Sequence, residues 1–123
     1  MIELTDVSVG YRLPDGTHRA VLADSSMHIE RADMAYLIGP TGSGKSTILR
    51  LLYMDLFPDD GVARVGKFRS DQVKRGEIPY LRRQIGVVFQ DFQLLPDRSA
   101  YDNVAFALYA TGKRRKEVKR RTL

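Results

Sequence analysis

Apolar and polar residues alternate at the front of this chain, and further along the apolar residues gather into uninterrupted runs. Ile2, Leu4, Val7 and Val9 recur at near-alternating positions in a β-leaning segment, which predicts a half-buried strand. Leu13-Pro14-Asp15-Gly16-Thr17 is a turn signal. Val21 and Leu22, then Met27 and Ile29, predict a second extended stretch returning from it, and Arg31-Ala32-Asp33 makes the next corner. Met34-Ala35-Tyr36-Leu37-Ile38 is apolar throughout and predicts a buried strand, and Ile48 to Tyr53 contains good helix formers and no breaker. Pro58-Asp59-Asp60-Gly61 ends that helix, and Val62 to Val65 predicts a short strand. Ser70 to Gly76 is polar and suits a loop or one surface turn of helix. A helical stretch around Pro79 to Arg83 follows, and then Ile85-Gly86-Val87-Val88-Phe89 predicts another buried strand. After a break at Leu94 to Arg98, Ser99 or Asp102 is placed to cap a helix with Val104, Phe106, Ala107 and Leu108 on its apolar side. Antiparallel strands come first and strand-helix units second, which predicts an α/β domain with a β-rich edge.

Between the apolar run at Met34–Ile38 and the helix lies Gly39-Pro40-Thr41-Gly42-Ser43-Gly44-Lys45-Ser46-Thr47, which fits the phosphate-binding pattern G-x-x-x-x-G-K-[ST] without a mismatch. Glycines let the backbone curl so that successive N–H groups converge on phosphate oxygens. The helix start adds unpaired donors and partial positive charge. Lys45 is placed to reach the β- and γ-phosphates, and the Ser46 hydroxyl to ligate Mg2+. The segment predicts a nucleoside triphosphate site, and ATP is the expected ligand.

Composition narrows the setting. At 123 residues and 43% hydrophobic, the chain is large enough for one domain with its own core. Cysteine is absent, so no disulfide or thiolate metal site is available, which suits a reducing cytoplasm. No uncharged apolar run approaches a membrane span, and Glu3 and Asp6 argue against a secretion signal. The net charge of +5 is unevenly spread: Lys113, Arg114, Arg115, Lys116, Lys119, Arg120 and Arg121 face Glu117 alone, so the tail carries +6 and the rest −1. Such a tail can bind phosphates or anionic lipid, and it also suits the solvated face of a helix. No aromatic residue interleaves with it, so base stacking lacks a platform and nucleic acid is not the expected partner.

Two further residues point to nucleotide chemistry. Phe89-Gln90-Asp91 stands at the end of the second apolar run, where open α/β sheets place ligands. The Gln90 carbonyl can ligate Mg2+ and position the attacking water, although a polar strand end explains the residue equally well. Tyr11 follows the first strand, where its ring can stack on a base or simply close the core edge. Tyr11, the Gly39–Thr47 loop and Gln90 together resemble the nucleotide-binding domain of ABC transporters, in the right order. The stretch Leu81 to Leu95, followed by Tyr101-Asp102-Asn103-Val104-Ala105, looks like the members of that family that act in cell division. Ala32 departs from the pattern, because the family usually has glycine before the loop's strand. If that corner needs a positive φ, alanine costs roughly 1 kcal/mol.

The resemblance implies a P-loop NTPase fold and ATP with Mg2+ as cofactors. It implies a homodimeric ATPase peripheral to the inner face of the membrane through an integral membrane subunit. It also implies a groove at Phe92, Leu94 and Leu95 for a short helix of that subunit. Residues 1–123 correspond to the N-terminal part of one such domain, with the tail 113–123 opening a helical subdomain. The LSGGQ-type signature, a Walker B strand ending in Asp-Glu and the switch histidine are missing from the sequence. Leu51-Leu52-Tyr53-Met54-Asp55 imitates Walker B but continues the helix, and Leu56 stands in the glutamate's place. His18 and His28 precede the loop and suit ordinary surface roles, and Asp91 suits a loop role better than a place at the metal. The residues present therefore predict binding of ATP without hydrolysis by this chain alone. Related ATPases for lipoprotein release, macrolide export or amino-acid uptake share much of the pattern. A non-hydrolysing nucleotide-binding module and a basic nucleic-acid-binding protein are the alternatives outside that class.

Overall fold

The computed structural model describes residues 1–91 and 93–122. They form two compact units, Met1–Ile85 and the segment from Gly86 onward.

The first unit is built on an antiparallel sheet. Strand β1 (Ile2–Arg12) pairs with β2 (His18–Ile29) on one side and β3 (Asp60–Val65) on the other, and the short β4 (Phe68–Arg69) completes the order β2-β1-β3-β4. The turn after β1 closes as its residues predict. Gly16 N–H donates to Leu13 O at 2.9 Å, and the Asp15 carboxylate accepts from Thr17 N–H and Oγ at 2.9 and 2.6 Å. Those two donors hold the Asp15 carboxyl below its usual range.

The near-alternation of β1 has a structural cause. Leu4 and Val7 are both buried although three residues apart, because the strand bulges between them, with Asp6 at φ 49°. A second irregularity in β2, at Asp24 with φ 42°, answers the first. Asp6 N–H donates to Ser26 Oγ (2.9 Å) and Asp24 N–H to Ser8 Oγ (3.1 Å), so each bulge is pinned by the opposite strand. Gly61, at φ 78°, lies so close to the Asp6 carbonyl that a Cβ there would overlap it.

Helix α1 (Lys45–Leu52) lies on this sheet through Leu51, which is fully buried with Leu4, Val7, Val9, Leu22 and Ala63. A second cluster joins Met54, Phe68 and Leu81, the last from α2 (Ile78–Arg82).

Both apolar runs depart from expectation. Met34–Ile38 and Ile85–Phe89 are not strands, and Met34, Ile38 and Val88 are 80, 89 and 91% exposed. A buried strand requires ladder partners and cover on both faces. Among the described residues neither run is a strand of the sheet.

In the second unit, α3 (Ala100–Ala110) begins at the N-cap Ser99. Its apolar side differs from the predicted one. Ala105 is buried and Leu108 half-buried, whereas Val104, Phe106 and Ala107 are exposed. Positions three or four apart share a helix face, and adjacent ones do not. The basic tail forms α4 (Arg115–Thr122), with Val118 buried.

Candidate phosphate-binding site

The curl from Gly39 to Gly44 closes around the Lys45 ammonium. Lys45 Nζ donates to the carbonyl oxygens of Gly39 and Pro40, both at 2.7 Å, and to Ser43 Oγ at 3.4 Å. Ser43 N–H donates to Pro40 O at 3.2 Å, which tightens the turn. Two glycines pack tightly, and Gly44 is the one whose backbone demands glycine. At Gly39 a Cβ would stand 2.6 Å from Ser43 Oγ. At Gly44 the backbone is left-handed (φ 89°), and a Cβ would meet Leu22 Cδ2 at 3.0 Å and Val21 Cγ1 at 3.2 Å. The loop thus sits directly against β2, which fixes its position on the sheet.

Helix α1 begins without a cap. Gly44 supplies no side-chain acceptor, and the first turn contains no acidic residue. The first helical bond is Ile48 N–H to Gly44 O at 2.9 Å. Among the described residues the N–H groups of Lys45, Ser46 and Thr47 therefore have no acceptor, and together with Lys45 they form a compact positive site. The Ser46 side chain is exposed beside them, whereas Thr47 is 7% exposed and faces the core. Glycine cradle, free donors, lysine and exposed hydroxyl fit a phosphate chain with its metal.

Tyr11 belongs to the same unit. Its ring is 37% exposed, and its hydroxyl accepts from Arg50 Nη1 at 3.5 Å. Arg50 is anchored by Asp55, with Nε 2.9 Å from Oδ2, and that bond raises the guanidinium pKa. Asp55 also faces Arg82 Nη2 at 3.7 Å, so it ends the α1 region as an ion-pair partner and not as the tip of a strand. His18 lies over Gly10 and 3.8 Å from Asp59, and His28 pairs with Glu30 at 2.9 Å, both at the surface.

Gln90 belongs to the other unit, exposed in a turn after the second apolar run, with Asp91 exposed beside it. Phe92 lies outside the described residues, and Leu94 and Leu95 are exposed. The sequence reading missed Asn103. Its Oδ1 accepts from Leu95 N–H (2.8 Å), and its Nδ2 donates to Leu95, Arg98 and Ser99 carbonyls at 3.2, 3.3 and 3.0 Å. One amide thereby fixes the whole loop before α3. An asparagine four residues after the cap serine was the available signal.

A phosphate loop on a β-rich edge defines a P-loop NTPase, and the ABC transporter family profile matches residues 22–122. The chain belongs to that family. It is 39% identical over its full length to the cell division ATP-binding protein FtsE of Streptococcus pneumoniae, covering 52% of that protein. It is 43% identical over 98% of the chain to FtsE of Mycobacterium tuberculosis, covering 51% of it. Among solved structures it resembles the ATP-binding cassette MJ0796, a dimer in a post-hydrolysis state with ADP and Pi (TM-score 0.87, 27% identity, 99% of this chain and 54% of that one). It also resembles cbiO1 of Clostridium perfringens, part of the ABC transporter complex cbiONQ (TM-score 0.76, 30% identity, 98% and 46%). The chain thus spans about half the length of the curated relatives it matches.

Proposed function

We propose that this chain is the ATP-binding portion of an FtsE-like ATPase subunit, which couples ATP binding and hydrolysis to a membrane partner in cell division. The observation that carries it is the uncapped start of α1 gathered around Lys45. Lys45 exchanges its loop carbonyls for β- and γ-phosphate oxygens, and the N–H groups of Gly42 to Thr47 line the phosphate chain. Ser46 would hold Mg2+ in the first unit, and Gln90, expected from the sequence as a second ligand and a positioner of the attacking water, belongs to the other unit. When bound, Mg2+ would neutralise phosphate charge. Tyr11 stacks on the base through its half-exposed ring.

The FtsE relatives support the division role, and the resemblance implies a membrane subunit of the FtsX kind as the partner. In the second unit, Leu95, Arg98, Asp102, Ala105, Phe106 and Tyr109 line a groove of about 250 Å3. This recess has room for a side chain or two and adjoins the loop at Leu94 and Leu95 expected to dock a short helix of that subunit. The cbiO1 resemblance supports a second reading, the ATPase of another transporter in the family. Among the described residues no glutamate follows a Walker B strand, so the chain alone is expected to bind ATP without hydrolysing it.

Calorimetry with MgATP tests the proposal. Lys45→Ala is expected to weaken binding about tenfold or more, the scale of a charge-assisted hydrogen bond. Ser46→Ala is expected to reduce the gain from Mg2+. ATP turnover by the chain is expected to equal that of Lys45→Ala. Unchanged affinity in Lys45→Ala overturns the phosphate role of the loop.

A further inference from the structure

The cations of α4 are arranged in a way that helix stability does not explain. At about 100° per residue, Lys116, Lys119 and Arg120 point away from the buried Val118, about 100 to 160° from it, and Arg115 stands at the near edge of the same arc, about 60° from it. All four are exposed. Glu117 lies on the flank, where it faces Lys113 at 3.5 Å and Arg121 at 3.4 Å. Among the described residues, Arg115, Lys116, Lys119 and Arg120 have no acidic partner. Lys119, Arg120 and Arg121 suit the negative end of the helix dipole. Arg115 and Lys116 stand at the positive end, directly after Lys113 and Arg114, where that dipole opposes them. An outside anion removes this conflict.

We propose that this face of α4 binds a membrane surface through anionic lipid headgroups. The inference rests on the reading of the chain as a subunit that works at a membrane. Clusters of four to eight basic residues on a helix are the electrostatic signature of anionic-leaflet binding. The face presents no apolar side chain, so contact stays at headgroup depth, without insertion. Nucleic acid is the less suitable polyanion, because no aromatic side chain between Thr111 and Thr122 offers a stacking surface.

The test is co-sedimentation of the 123-residue chain with vesicles of phosphatidylcholine, with and without about a third phosphatidylglycerol. Binding is expected only to the anionic vesicles, and it should fall steeply between about 0.1 M and 0.5 M salt as the Debye length shrinks. The variant Arg115→Gln, Lys116→Gln, Lys119→Gln, Arg120→Gln is expected to lose about fivefold in partitioning per cation, and so a hundredfold or more in total. A control with the same charge change on the other unit, Arg19→Gln, Arg31→Gln, Lys74→Gln, Arg75→Gln, should stay within about twofold of the parent, since few cations there act together. Circular dichroism establishes that both variants are folded. Equal losses in the two variants, binding to neutral vesicles as strong as to anionic ones, or tighter binding to duplex DNA than to anionic vesicles at the same salt each overturn the proposal. Calorimetry with MgATP on the same samples separates the two readings. Lipid binding without ATP binding removes the nucleotide site and leaves this face standing, and the reverse result removes only the lipid face.

Discussion

Helices α1 and α3 begin in opposite ways. Ser99 caps α3: its Oγ accepts from Asp102 N–H at 3.1 Å and donates to the Asp102 carboxylate at 2.7 Å. An acid in the first turn then balances the positive end of the dipole. Helix α1 has a left-handed glycine in the cap position, no acid, and a lysine as its first residue. In α3 a side chain satisfies one of the first donors and an acid balances the dipole, whereas α1 leaves its first donors open, where the proposed phosphate would bind. An uncapped, positively charged helix start costs stability, and here that cost falls at the proposed site.

The comparison is broken most strongly at the glycine. Gly44→Ala places a Cβ at a left-handed residue and 3.0 Å from Leu22 Cδ2, and it is expected to cost about 2 kcal/mol in urea denaturation. A cost near zero would mean that the loop does not hold the conformation described. At the other helix, Ser99→Ala removes a real cap and should cost about 1 kcal/mol while leaving MgATP affinity unchanged. A change in nucleotide affinity there would contradict the separation of the two roles. The smallest effect has the opposite sign. Ala32 has φ 72°, so Ala32→Gly should raise stability by up to about 1 kcal/mol. No gain, or a loss, would show that the corner is not strained in solution.

That corner was legible in the sequence, as were the first hairpin, β3, α2 and the phosphate loop, and the α3 cap was narrowed to Ser99 or Asp102, of which the structure uses Ser99. Each is set by local chemistry: a turn residue, a cap, a glycine count. Met34–Ile38 and Ile85–Phe89 were misread because their apolar composition shows that they can be buried but not what would pair with them. Burial of Leu4 and Val7 on one face likewise depended on a bulge held by Ser26 from across the sheet, which no local pattern announces. Short β4 was not anticipated, since its register comes from pairing with Arg64 and Val65. At the site, the loop's identity was read directly, whereas the tie from Tyr11 to Arg50 joins residues far apart in the chain.

In the proposed site the first N–H groups of α1 are kept for phosphate. Amide chemical shifts of the isotope-labelled chain during titration with MgADP test it most directly. The account predicts that the Gly44, Lys45, Ser46 and Thr47 amides move most and become protected from exchange, while Asp102 and Asn103 stay in place. Saturable binding that leaves the α1 amides unmoved, or moves those of α3 equally, would contradict it.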